Sequence, residues 1–82
     1  MRSMPWDGEL WQRLKDAISP MPPVVRQRAL KTIIEASETL ARERGSRMVH
    51  EEDLVKAAKT KIPALTRQRV LDALADTGIK AA

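Results

Sequence analysis

The feature that most constrains this chain is a stretch of apolar periodicity closed at both ends by residues that cannot continue a helix. Pro22 and Pro23 open it and Gly45 ends it. Between them Val25, Ala29, Leu30, Ile33, Ile34, Ala36, Ser37, Leu40 and Ala41 recur at three- and four-residue steps. That spacing predicts an α-helix over about 23–44, with proline at its first turn and glycine supplying a left-handed C-terminal residue. At about 100° per residue the apolar positions cover about half the circumference, wider than the stripe of an ordinary surface helix. A helix with so wide a face needs more than one neighbour.

The rest of the chain supplies those neighbours. Asp7 is the expected N-cap of a first helix over about 7–18, with Leu10, Leu14, Ala17 and Ile18 on its apolar face. Trp6 before that cap and Trp11 after it are spaced to pack as a hydrophobic staple. Residues Met1 to Pro5 read as a frayed start. Ser19-Pro20-Met21-Pro22-Pro23 is too proline-dense to be helical. After Gly45 a short connector leads to His50 as cap, with Val49 and Leu54 spaced for a second staple. Glu51, Glu52 and Asp53 then occupy the first turn of a third helix over about 51–60, where the helix dipole favours negative charge. Pro63 ends it, and a fourth helix over about 64–77 places Val70, Leu71, Leu74 and Ala75 on one side. Gly78 is its C-terminal cap, Ile79 folds back, and Lys80 to Ala82 form a tail.

These elements predict an all-α fold, a single four-helix domain over 1–82. It reads as two αα-hairpins around a long central helix. An internal echo supports the hairpin reading. Pro22 to Leu30 resembles Pro63 to Leu71 at an offset of 41 residues. The echo puts Arg26 and Arg67 in equivalent first turns, both projecting toward the apolar side. There each can lay its stem along the core and its guanidinium on a helix C-terminus or carboxylate, or serve as an anion contact.

Composition narrows the function. There are 15 Lys and Arg against 11 Asp and Glu, a net charge of +4 without a block of like charge. That balance permits an anionic partner without requiring one. With no cysteine there is neither a disulfide framework nor a thiolate metal or cluster site, and a reducing, cytoplasmic setting is the default. No run is long enough to span a membrane. His50 lies among carboxylates, but consecutive helical residues fan apart, so capping explains the group better than a metal does. Glu35 and Glu38 are expected on the wet outer face, paired in sequence with Lys31 and Arg42. No phosphate loop, dinucleotide fingerprint or nucleophile triad is present, so no cofactor and no independent enzyme activity is expected. Candidate contact residues are Arg26 and Arg67, the basic group Arg42, Arg44 and Arg47 beside Lys56, Lys59 and Lys61, and the aromatics Trp6 and Trp11.

Several of these residues also carry a family resemblance. Trp6, Leu14, Pro22 to Arg26, Glu38 to Gly45 and Val49 to Leu54 resemble the small C-terminal domain of light-independent protochlorophyllide reductase. That domain type is also found in short stand-alone bacterial proteins. The family enzyme reduces protochlorophyllide with electrons from an iron–sulfur partner, and its cluster and proton-donor residues lie outside this domain. The resemblance therefore implies a non-catalytic accessory or protein-interaction module, with a reductase or electron-transfer protein as partner. A second resemblance, of Gly45 to Leu54 to the loop and last-helix entry of archaeal histones, implies a DNA-binding dimer. Such a dimer would contact the DNA backbone through Arg42, Arg44 and Arg47.

Overall fold

The computed structural model describes residues 2–79, with Leu65 described by its backbone only. Met1 and the tail Lys80 to Ala82 lie outside the described residues. Four helices follow in order: α1 (Leu10–Ile18), α2 (Pro23–Glu43), α3 (Glu51–Thr60) and α4 (Ala64–Asp76). The all-α architecture read from the sequence is the architecture found.

The helix ends follow local chemistry. Gly45 at φ +78° and Gly78 at φ +90° adopt the left-handed conformation that glycine tolerates without a Cβ clash. Each sits in a Schellman motif: Ser46 N–H donates to the Ala41 carbonyl and Ile79 N–H to that of Leu74. Ile79 thereby folds back to complete burial. At the start of α3, the Asp53 carboxylate accepts from the His50 backbone N–H at 3.0 Å, the reciprocal half of a capping box. Val49 and Leu54, on either side of that cap, are both fully buried.

The first helix starts later than expected. It begins at Leu10 rather than Asp7, and its N-cap position, Glu9, makes no side-chain cap. The reason is a long-range contact. Asp7 N–H donates to the Val49 carbonyl and Val49 N–H to that of Pro5, an isolated parallel bridge between Trp6 and Val49. Backbone tied to residue 49 is held extended, so the chain turns at Gly8 and only then enters the helix. The expected frayed start is corrected for Arg2 to Pro5 by the same strap.

The helices close a ring. α2 packs on α3 most extensively, α1 packs on both α2 and α4, and α4 on α3. The largest interface thus joins the two hairpins rather than lying inside either. The core is Leu10, Leu14 and Ile18 from α1, Ile33, Ile34 and Ala41 from α2, Leu54 and Ala58 from α3, and Val70 and Leu74 from α4. Two core expectations are corrected. Val25 is 48% exposed, because α2 outruns the shorter helices packed against it, and Ala75 is exposed on the outer side of α4.

Inside this core the Ser37 hydroxyl is fully buried and makes no hydrogen bond among the described residues. A buried hydroxyl without a partner loses its solvation uncompensated, and serine is a poorer helix former than alanine. Ser37→Ala is therefore expected to stabilise the fold by about 1 kcal/mol. Ile33→Ala, at a position also fully buried, should cost about 2–5 kcal/mol. Urea midpoints of the two variants check both signs.

Candidate functional site

The structure sorts the candidate residues into those that tie the fold together and those that remain available. Glu38, expected on the wet face, is 3% exposed. The N-terminal strap crosses α2 at this point and covers it. Ser3 donates its backbone N–H to Glu38 Oε2 at 2.9 Å and its hydroxyl to Oε1 at 2.6 Å. Trp6 Nε1 donates to Oε2 at 3.2 Å. Arg42, four residues on, lies 3.7 Å from Oε1 and also donates to the Ser3 hydroxyl. Burial pushes the Glu38 carboxyl up, but the hydrogen bonds from Ser3, Trp6 and the Met4 backbone outweigh it and the net displacement is downward, so the group stays ionised. Glu35, by contrast, is exposed, and no ion pair joins it to Lys31.

A second buried carboxylate fastens the C-terminal end of α2, beyond Glu38, to the start of α3. Arg44 grips Asp53 bidentately, Nε to Oδ1 at 2.7 Å and Nη2 to Oδ2 at 2.8 Å, and reaches Glu52 at 3.3 Å. The hydrogen bond from Arg44 is the main cause holding the Asp53 carboxyl below its ordinary value, and the same contact raises the Arg44 guanidinium. His50 Nδ1 lies 3.2 Å from Asp7 Oδ2, joining the strap to the α3 entry a second time. Of the expected basic group, Arg42 and Arg44 are thus engaged with carboxylates, while Arg47 is exposed and bonds to none of the described residues.

The paired arginines of the internal echo do the same job in each hairpin. Arg26 Nη1 donates to the carbonyl of Ser19, the C-cap of α1, at 3.2 Å. Arg67 Nη2 donates to the Ile62 carbonyl, just past the C-cap of α3, at 3.1 Å. Each guanidinium satisfies an orphan carbonyl at the end of the preceding helix. The Nε of Arg67 is buried without a partner among the described residues.

The tryptophans divide between core and surface. Trp6 is 7% exposed and Trp11 is half-buried, with ring centroids 5.4 Å apart in an edge-to-face arrangement. Arg2 stands over the Trp11 ring with Cζ 4.5 Å from its centroid, and Lys15 Nζ lies at 5.7 Å. Among the described residues no group of three His, Asp or Glu side chains converges in a way that could hold a metal ion. Nor is any helix among them long and apolar enough to cross a membrane. Compared with family models, curated proteins and solved structures, the chain matches none.

The Glu38 site escaped the sequence reading because a helical wheel places a residue relative to its own helix only. Ser3 and Trp6, 35 and 32 residues away, cannot enter it. Both buried carboxylates have depressed folded-state pKa values. Their stabilisation is therefore fully present above their ordinary range near pH 4 and is lost as pH falls through the lower folded values. The stability of the wild type should hold between pH 7 and 5 and decline below about pH 4. Glu38→Gln should be less stable at pH 7 by about 2 kcal/mol and should show a shallower decline. Urea denaturation at stepped pH measures both.

Proposed function

We propose that this chain is a non-catalytic accessory module that docks on a protein partner through the Trp11 face of α1. The observation that carries the reading is the half-buried Trp11 ring, braced from inside by Trp6 and flanked outside by Arg2 and Lys15. Tryptophan and arginine are the residues that most often form the energetic centre of a protein interface. A ring fixed by an edge-to-face contact loses little freedom on binding, so its contact area is available at low entropic cost.

The deployment of the carboxylates supports a binding role over a chemical one. A general acid near neutral pH needs a raised carboxyl pKa. Glu38 and Asp53, the buried carboxylates among the described residues, are displaced the other way and are engaged in holding the strap and the α3 entry. The resemblance of Trp6, Leu14, Pro22 to Arg26 and Glu38 to Gly45 to the small reductase domain supplies the partner class. That partner is a component of a protochlorophyllide-reductase-type or other electron-transfer enzyme. The histone-like dimer has less support, because the Arg42 and Arg44 guanidinium groups it would offer to DNA already face carboxylates.

The test is calorimetric titration of the full chain into the reductase-type catalytic protein of the same organism. The expected result is saturable binding that Trp11→Ala weakens at least about 30-fold, the effect of a hot-spot truncation near 2 kcal/mol. Helicity should be retained while the unfolding midpoint falls, since the ring packs edge-to-face on Trp6, so binding is compared under conditions where both proteins are folded. Saturable binding left intact by Trp11→Ala would remove the Trp11 face, and no binding would remove the partner class.

A further inference from the structure

The first 22 residues hold three acidic and three basic side chains, Asp7, Glu9 and Asp16 against Arg2, Arg13 and Lys15. By count this segment is neutral, but its contacts divide the charges unevenly. Asp7 lies beside His50, Glu9 pairs with Arg13, and Asp16 accepts from Gln12 Nε2 at 3.0 Å. Glu38, the carboxylate under the strap, is taken by Ser3 and Trp6, with Arg42 beside it. Each of these carboxylates is thus engaged elsewhere. Arg2 and Lys15 are left over. Both are exposed, and neither makes an ion pair among the described residues.

These two cations come from different segments, the strap and α1, and converge on one ring. Arg2 Cζ is 4.5 Å from the Trp11 centroid and Lys15 Nζ is 5.7 Å from it, so the charges stand no further apart than those two distances combined. Lys15 and Trp11 share a side of α1 because four residues make about one turn, whereas Glu9 and Arg13 form their own pair on another side. A guanidinium on an aromatic ring has already lost part of its side-chain freedom. It also keeps N–H donors for a bidentate acceptor. The Trp11 face is therefore an indole framed by two positive charges that no carboxylate neutralises.

We infer that the Trp11 face takes an acidic segment of its protein partner, one that carries two carboxylates a helical turn apart with an apolar side chain beside them. This rests on the docking reading above and adds the chemistry of the occupant. Carboxylates at i and i+4 of a helix have Cβ atoms about 5–6 Å apart, a spacing that lets both reach cations gathered on one ring. The apolar side chain covers the exposed part of the indole. Charge complementarity of this kind speeds encounter and fixes register. The contacts of the ring argue against other polyanions. Stacking of a nucleobase needs a free aromatic face, but the Arg2 guanidinium already stands 4.5 Å from this ring and Trp6 packs on it at 5.4 Å. Insertion into a membrane interface needs a continuous apolar face, whereas Gln12, Lys15 and Asp16, the neighbours of Trp11 on α1, are exposed and polar.

The experiment is fluorescence anisotropy of two labelled helical peptides, each about 15 residues long, titrated with the full chain. Both carry leucine on one face. One places glutamates at i and i+4 beside it, the other lysines. The glutamate peptide should bind saturably at about 50 mM salt and weaken at least about 5-fold at about 500 mM, while the lysine peptide should not bind. Arg2→Glu with Lys15→Glu should weaken the glutamate peptide at least about 10-fold and should confer binding of the lysine peptide. Lys61→Glu with Arg69→Glu, an equal charge change at exposed positions of the α3–α4 hairpin, should weaken the glutamate peptide less than about 3-fold. Circular dichroism checks that both double variants remain helical. Equal loss in the two double variants would overturn the inference, because net charge rather than this face would then be responsible. So would absence of glutamate-peptide binding at the lower salt. Tighter binding of single-stranded oligothymidylate or of phosphatidylserine vesicles, with the same Arg2 and Lys15 dependence, would overturn it in favour of that polyanion. The calorimetric titration into the reductase-type protein separates this inference from the reading it rests on. Binding that Trp11→Ala weakens but Arg2→Glu with Lys15→Glu leaves unchanged would overturn the acidic class and keep the docking face. Binding that neither change alters would remove the face itself. Peptide binding without binding of that protein would support the inference and remove only the partner class.

Discussion

The Glu38 carboxylate sits under the N-terminal strap, and the arrangement of the domain depends on how its charge is satisfied. A carboxylate removed from water costs several kcal/mol unless donors replace its hydration. Here the donors come from Ser3, Met4 and Trp6, which lie before the first helix, and Arg42 on the next turn of α2 adds a positive charge 3.7 Å away. Folding α2 against its neighbours therefore requires the strap to be in place. The strap in turn carries the backbone bridge to Val49 and the Trp6 ring that enters the core. One ionised group thus couples the chain start, the long helix and the α3 entry. The same three parts are joined again by Arg44 on Asp53 and by His50 beside Asp7.

What the sequence made legible was whatever local chemistry determines. The bounds of α3 follow from a cap at His50 and a proline at 63, and the bounds of α2 from Pro23 and Gly45, all residues whose effect acts within one turn. The start of α1 was not legible. Asp7 has the composition of a cap, but its backbone N–H is already committed to the carbonyl of Val49, far along the chain. Periodicity failed at Glu38 and Val25 for opposite reasons. A segment absent from the wheel covers the first, and the second lies on an apolar stripe that extends beyond the helices packed against it.

The internal echo turns out to have a physical content. Arg26 and Arg67 occupy matching first turns, where a positive charge opposes the helix dipole. Each is retained there with a hydrogen bond to a carbonyl at the end of the preceding helix. In both hairpins an arginine at the start of one helix therefore closes the end of the helix before it, across a proline-bearing turn. A first-turn carboxylate could not make that bond, since it accepts hydrogen bonds and the carbonyl needs a donor.

That closure device also shapes the surface. Because the turns of both hairpins are held by arginine, the first turns of α2 and α4 carry no acidic residue. Glu38 and Asp53 lie instead toward the C-terminal end of α2, where they hold the strap and the α3 entry and draw Arg42 and Arg44 into pairs. The two ends of α2 are thus tied in different ways. One end is fastened by buried anions that occupy the nearby cations. The other is fastened by guanidinium groups on neutral carbonyls, which leave the positive charge uncancelled. Neither tie is released as pH rises above the carboxylate range, since arginine remains protonated and the carboxylates ionised there.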